Sequence, residues 1–283
     1  MLTLMRFPGG KRKAVTLSYD DGVTADISLI EILNKYGLKC TFNINSGIMP
    51  KEDIDLSIPH RRMSMKQCVE IYKDTPHEVA VHGYQHPYWP ELPVDRITFD
   101  IMEDRKNLEN AFDRNIKGCA YPMGPFDDKC VEALKACGIS YARTTISTES
   151  FDMPKDWLRM PTTCHHNTPR LMQLCDEFIN FAEEYRPCKL FYLWGHSYEF
   201  NDKDNWDVIE KFAEKMGGHD DIWYATNIEI YNYVKAYESL EFSADGRYAY
   251  NPTAIDVYLH QCANERVVYK IPAGERAIAL DNN

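Results

Sequence analysis

Long apolar runs are missing from this 283-residue sequence, and with them any stretch expected to span a bilayer. The opening residues, MLTLMRFPGGKRKAV, lack the charged start, apolar stretch and small-residue cleavage site of a secretion signal. Excess basic charge is missing too. The formal net charge is −11, so no long-range attraction to nucleic acid or to an anionic membrane is expected. Nine cysteines are scattered through the chain, at Cys40, Cys68, Cys119, Cys130, Cys137, Cys164, Cys175, Cys188 and Cys262, but no CxxC pair occurs. Their number is odd and most lie among apolar residues, as buried thiols do. A disulfide framework is therefore not expected, and a reduced compartment, the cytoplasm, is. There is no internal repeat and no low-complexity segment.

What is present is the composition of an ordinary folded protein, with 44% hydrophobic and 12% aromatic residues. The length suits one large domain, alone or with a small appendage. Apolar alternation predicts strands at residues 13–19, 39–45, 78–82, 117–121, 139–143, 189–194 and 222–225. Apolar residues at helical spacing predict helices at 24–36, 64–73, 94–113, 127–137, 168–185, 205–216 and 227–237. Thr24 is the expected cap of the first, and Ser64 with Gln67 forms a capping box for the second. A polar excursion with prolines separates them, over 46–62. Repeated βα units of this length predict a parallel sheet with helices outside, closed or nearly closed into an α/β barrel; an open doubly wound sheet is the alternative.

The tail changes character near residue 241. Turn signals at Asp245-Gly246, Asn251-Pro252 and Pro272-Ala273-Gly274 separate short β-branched and aromatic runs. The expected division is a catalytic domain over 1–240 and a small antiparallel β appendage over 241–283.

Three polar clusters fall at predicted strand ends. In Ser18-Tyr19-Asp20-Asp21-Gly22, two adjacent carboxylates repel each other unless a cation or a basic group neutralises one. In His82-Gly83-Tyr84-Gln85-His86, the i, i+4 spacing lets two imidazoles converge on one ion. The third cluster is His196, within Trp194-Gly195-His196, after the most apolar strand. Taken singly, Asp-Asp-Gly is more often a turn, HxxxH is as often a surface accident, and a lone histidine beside tryptophan is more often structural. In a barrel, however, the C-terminal strand ends share one face, so the three can meet. Two histidines and one carboxylate would leave a coordination position open for water, the catalytic pattern of a metal site, with Asp20 and His196 left as base and acid. His165 and His166, adjacent after Cys164, are as well explained by an exposed loop as by the site.

With these motifs in order, the chain resembles the polysaccharide deacetylases of carbohydrate esterase family four, whose catalytic unit is the NodB homology domain. The resemblance runs over about residues 13–237. It implies a distorted barrel of seven or eight βα units. It implies Asp20 as base, Asp21, His82 and His86 as metal ligands, and His196 as general acid. Tyr121-Pro122-Met123-Gly124 resembles the third motif, so Met123 would offer an oxyanion N–H and Tyr121 would border the substrate. Asp156-Trp157 resembles the fourth, so Asp156 would orient His196 and Trp157 would wall the sugar site. Trp194 stands where leucine is usual and would reshape the acyl pocket. The third-motif arginine, which restrains the base, is Ala120 here. Arg143 or Arg159 must replace it, or the base is less restrained; Arg143, which follows a predicted strand, is the better placed.

The implied activity is hydrolytic removal of N-acetyl or O-acetyl groups from a carbohydrate by a metal-bound water. The implied cofactor is a divalent cation, zinc first, with cobalt, nickel or manganese as alternatives. The implied partner is an N-acetylated saccharide. The wording LWGHSYEF and the Asn-Pro in the tail resemble the gellan-lyase-associated branch. Two other readings remain: an amidohydrolase of a small non-sugar C–N bond, and a carbohydrate-binding protein with a vestigial site.

Overall fold

The computed structural model describes residues 3–182, 187–261 and 267–275, together with the backbone of 278–279. Elements run β1 (Thr3–Arg6), β2 (Lys13–Asp20), α1 (Asp26–Lys35), β3 (Cys40–Ile44), α2 (Met65–Tyr72), β4 (Glu78–Val81), α3 (Val94–Phe112), β5 (Gly118–Ala120), α4 (Asp128–Ala136) and β6 (Tyr141–Ser147). They continue β7 (Met160–Thr162), β8 (Cys164–His165), α5 (Leu171–Ile179), β9 (Lys189–Gly195), α6 (Tyr198–Asp202), α7 (Asp207–Met216), β10 (Ile222–Tyr224) and α8 (Asn227–Glu238). Five short strands follow: β11 (Glu241–Phe242), β12 (Tyr248–Tyr250), β13 (Val257–Gln261), β14 (Val268–Ile271) and β15 (Ile278–Ala279).

The central sheet is parallel, in the order β7-β6-β5-β4-β3-β2-β9-β8, with β10 beside the lower half of β2. Its two ends, β7 and β8, are separated in sequence by Thr163 alone, so one short stretch pairs with β6 on one side and β9 on the other. That stretch closes the barrel. The open-sheet alternative is thereby excluded.

Strand alternation sorts the side chains. On β2, Val15, Leu17 and Tyr19 join the main apolar core with the surrounding helices, from Leu29 and Leu33 of α1 to Phe212 and Met216 of α7. The other face of β2 carries Thr16, Ser18 and Asp20, and its polar groups are matched inside the barrel. Asn227, the first residue of α8, accepts the Thr16 hydroxyl proton at 2.9 Å and donates to the Tyr192 hydroxyl at 2.6 Å. Glu78 accepts from Tyr141, Thr41 and the Ile228 N–H. The start of α8 thus plugs the lower end of the barrel, leaving the upper end, where β2, β4 and β9 finish, for a site.

Several boundaries differ from the expectations. Thr24 does not cap α1, which starts at Asp26; its hydroxyl instead donates to the Ile58 carbonyl at 2.8 Å. The Ser64–Gln67 capping box is present. The helix expected over 168–185 is shorter, Leu171–Ile179, and residues 183–185 of that expectation lie outside the described residues. Strands β7 and β8, helix α6 and strand β1 were not anticipated. β1 pairs antiparallel with β13, so the antiparallel unit expected from the tail also takes in the N-terminal strand. Eight of the nine cysteines are buried free thiols; Cys262 lies outside the described residues. Among the described residues no helix is long and apolar enough to cross a membrane.

Candidate active site

Asp20 closes β2 on its inward face and is 2% exposed. Arg143, itself buried on β6, donates from Nη2 to both carboxylate oxygens, at 2.6 Å to Oδ1, and Asn43 of β3 donates to Oδ1 at 2.8 Å. Burial alone would push this carboxyl upward. Arg143, then His82 and His196, outweigh burial and hold it at about 2, so Asp20 is a carboxylate at any working pH. Ala120 and Arg143 are register partners on neighbouring strands β5 and β6. The arginine absent at Ala120 is thus present one strand further along, at the same level of the barrel. Arg159 lies elsewhere, paired with Asp156 and Asp128.

Asp21 follows with φ 85° and Gly22 with φ 63°, a reversal that turns the second carboxylate away from the first. Its Oδ1 accepts from Arg62 Nη2 at 2.6 Å. Arg62 ends the polar excursion and was not singled out by sequence.

His82 and His86 sit on a tight loop, not a helix. Gly83, at φ 79°, lets the chain turn there, and a Cβ on it would come within 2.8 Å of Asp100 and Pro122. Asp100 holds the loop by accepting from Gln85 N at 2.9 Å and Trp89 Nε1 at 2.9 Å. The His82 Nδ1–H donates to the Ala120 carbonyl at 2.9 Å, which leaves Nε2 as a lone pair facing the cavity. His86 lies with its ring centroid 4.8 Å from that of His82. Burial, then the charge His82 would carry, lower His86 to about 4, so it is neutral, as a ligand must be. One ligand atom from each of Asp21, His82 and His86 lies within 4.8 Å of the others. Two imidazole nitrogens and a carboxylate oxygen fit a divalent cation of the zinc type.

His196 stands just past β9. Its Nε2 is 3.8 Å from Asp20 Oδ2, and its Nδ1 is 2.8 Å from Glu199 Oε1. Burial would lower this histidine; the Glu199 hydrogen bond, then the charges of Asp20 and Asp21, raise it above its ordinary value.

The five residues enclose a cavity of about 160 Å³ walled by Tyr121, Met123 and Trp194. Tyr121 is fixed by donating its hydroxyl to the Leu158 carbonyl at 2.7 Å. Met123 has φ 59°, in the left-handed region, and the residue is 60% exposed. Trp194 lies under the Arg143 guanidinium, 4.6 Å from ring centroid to carbon.

The fourth-motif pair is not brought to this cavity. Asp156 accepts from Arg159 at 2.5 Å and from the Leu158 N–H at 2.9 Å. Trp157 packs edge-on against Tyr231, with ring centroids 5.2 Å apart. The carboxylate beside His196 is Glu199 instead. Its i, i+3 spacing from His196 was the signal available in the sequence.

Comparison with known proteins agrees with this architecture. The polysaccharide deacetylase family model matches residues 8–142. The match covers strands β2 to β5 and therefore Asp20, Asp21, His82 and His86. A polysaccharide deacetylase-like structure from Mycobacterium smegmatis superposes with TM-score 0.57 at 15% identity, over 83% of this chain and 94% of that one. Puue allantoinase superposes with TM-score 0.59 at 12% identity, over 80% and 91%. The fold is thus the NodB-type barrel. Streptococcus pyogenes deacetylase PplD, solved with acetate, matches at 21% identity and TM-score 0.47 over 55% of this chain, which spans 65% of that protein's length. No curated protein matches the sequence.

Proposed function

We propose that the chain is a divalent-metal-dependent deacetylase that hydrolyses an N-acetyl or O-acetyl group on a saccharide. The observation that carries this reading is the arrangement of Asp20. It is a buried carboxylate held ionised by Arg143, it lies 3.7 Å from His82 and 3.8 Å from His196, and it is separate from the three-ligand group beside it.

Asp21, His82 and His86 would hold the cation, zinc first. When bound, such a cation polarises the acyl oxygen and acidifies water. Asp20 accepts the proton of the attacking water. The Met123 N–H stabilises the negative charge developing on the acyl oxygen; one such donor is typically worth about 3 kcal/mol. Because the backbone would carry this role, methionine can stand at the position. His196 then gives its Nε2 proton to the leaving nitrogen or oxygen, which cannot depart as a strong anion. Trp194 and Tyr121 wall the acetyl group, and the sugar lies outside at the mouth.

A second reading, hydrolysis of a small non-sugar amide, is favoured by one feature. The partly exposed Arg62 guanidinium lies 2.6 Å from Asp21 and would pair with an anionic group on a small substrate. Acetate release from N-acetylated oligosaccharides, measured beside ammonia or amine release from small amides, separates the two. Release of acetate alone supports the first; turnover of small amides alone overturns it.

A further inference from the structure

We propose that Glu199 is the positioning residue for the proton donor, fixing the orientation and tautomer of His196, and that His165, Asn167 and Lys203 hold Glu199 in place. The proposal rests on His196 being the acid of the reaction above.

The geometry is that of a hub. Glu199 Oε1 lies 2.8 Å from His196 Nδ1 and 3.3 Å from His165 Nε2. Its Oε2 accepts from Asn167 Nδ2 at 2.5 Å and Lys203 Nζ at 3.2 Å, and His166 Nε2 lies 3.5 Å away. A carboxylate so surrounded is ionised: burial raises it, but the neighbouring imidazoles of His165, His166 and His196 drive it far below the ordinary carboxylate range. An ionised carboxylate accepts only. The His196 proton on that side must therefore sit on Nδ1, and Nε2 must face Asp20 and the cavity. Neutral His196 then presents a lone pair at Nε2, and charged His196 presents the transferable proton there, with no ring flip between the two.

The grouping of His165, His166 and Glu199 is close enough to hold an ion. The hydrogen bonds assign it differently. His165 Nδ1 accepts the Asn167 N–H at 3.1 Å, so its own proton occupies Nε2 and points at Glu199. A nitrogen that carries a proton cannot ligate a metal. His166 stacks against Tyr19, with centroids 5.7 Å apart, and its ring leaves no room for a Cβ on Gly195. The group is a clamp, built from the end of β8, the loop after it and α6. The titratable groups facing His196 are Asp20 at the end of β2 and Asp21 just past it, Glu199 and Tyr198 from α6, and His165 and His166 from the β8 end.

The test has two arms on zinc-loaded protein. Nitrogen NMR of the histidine rings in the wild type is expected to find the neutral His196 proton on Nδ1; a proton on Nε2 overturns the proposal, whatever the substrate. In Glu199→Gln, kcat is expected to fall at least about tenfold with KM within about twofold. The high-pH limb of kcat is expected to move to lower pH, because His196 loses the charge that keeps it protonated. His165→Gln should move both in the same direction by less. Unchanged kcat and pH limb in Glu199→Gln overturn the proposal, as does loss of a second equivalent of zinc from either variant. If the wild type releases no acetate, the deacetylase reading fails, and the tautomer measurement still judges Glu199.

Discussion

Replacing Arg143 by alanine removes the guanidinium that pairs with Asp20, the proposed base. In the wild type only Nη2 of Arg143 engages Asp20, while Nε and Nη1 make no hydrogen bond. The pair is therefore less than a full two-pronged bridge, and the lower end of the range for breaking a buried pair applies, about 3 kcal/mol. At roughly 2–4 °C per kcal/mol for a chain near this size, the melting temperature should drop by about 10 °C. The effect on Asp20 is the more specific one. With Arg143 gone, burial is opposed by His82, His196 and the Asn43 hydrogen bond without the largest lowering influence, and the carboxyl rises from its value of about 2. The acid limb of kcat/KM must move to higher pH, measured as acetate release from pH 4 to 9. Because Ala120 and Arg143 are partners in register, the double variant Ala120→Arg/Arg143→Ala should recover part of the lost limb. An Arg143→Ala protein with an unshifted acid limb would refute the assignment of Arg143 as the restraint on the base.

Other expectations follow from the same contacts. Asp21→Ala or His82→Ala should lose the bound metal by elemental analysis, whereas Asp20→Asn should keep it and lose turnover by about a hundredfold or more. Met123→Ala should stay within a few-fold of wild-type kcat, because the proposed oxyanion donor is the backbone N–H and not the side chain. Glu78 is raised from 4.5 to about 7, burial outweighing the bonds from Ile228, Tyr141 and Thr41. Its folded state thus holds a proton that the unfolded state releases between these values, so stability falls as pH rises through that window, by up to about 3 kcal/mol. Glu78→Gln should flatten that part of the denaturant-midpoint curve; an unchanged slope would refute the cause.

The βα order was legible because outward strand faces and helix faces carry unbroken apolar periodicity. The candidate site residues were legible because Asp20-Asp21-Gly22 and the His82–His86 pair fall at the ends of such strands. The barrel-closing stretch was not legible. Met160–Thr162 and Cys164–His165 are too short to show alternation, and their pairing is set by what β6 and β9 leave open. The pairing of β1 with β13 joins residues far apart in sequence and leaves no local pattern. Asp156 was misplaced for a related reason: its neighbour Arg159, three residues on, takes the carboxylate locally, and α6 brings Glu199 to His196 instead. Arg62 comes from a segment with no periodic signal at all.

The central claim is that a metal held by Asp21, His82 and His86 works with Asp20 as base. Zinc-loaded wild type and Asp20→Asn, matched for metal content, should be compared for acetate release from an N-acetylated oligosaccharide. The account predicts one bound zinc in each and turnover in the wild type alone. Equal acetate release from the two proteins, or none from a fully loaded wild type, would contradict it.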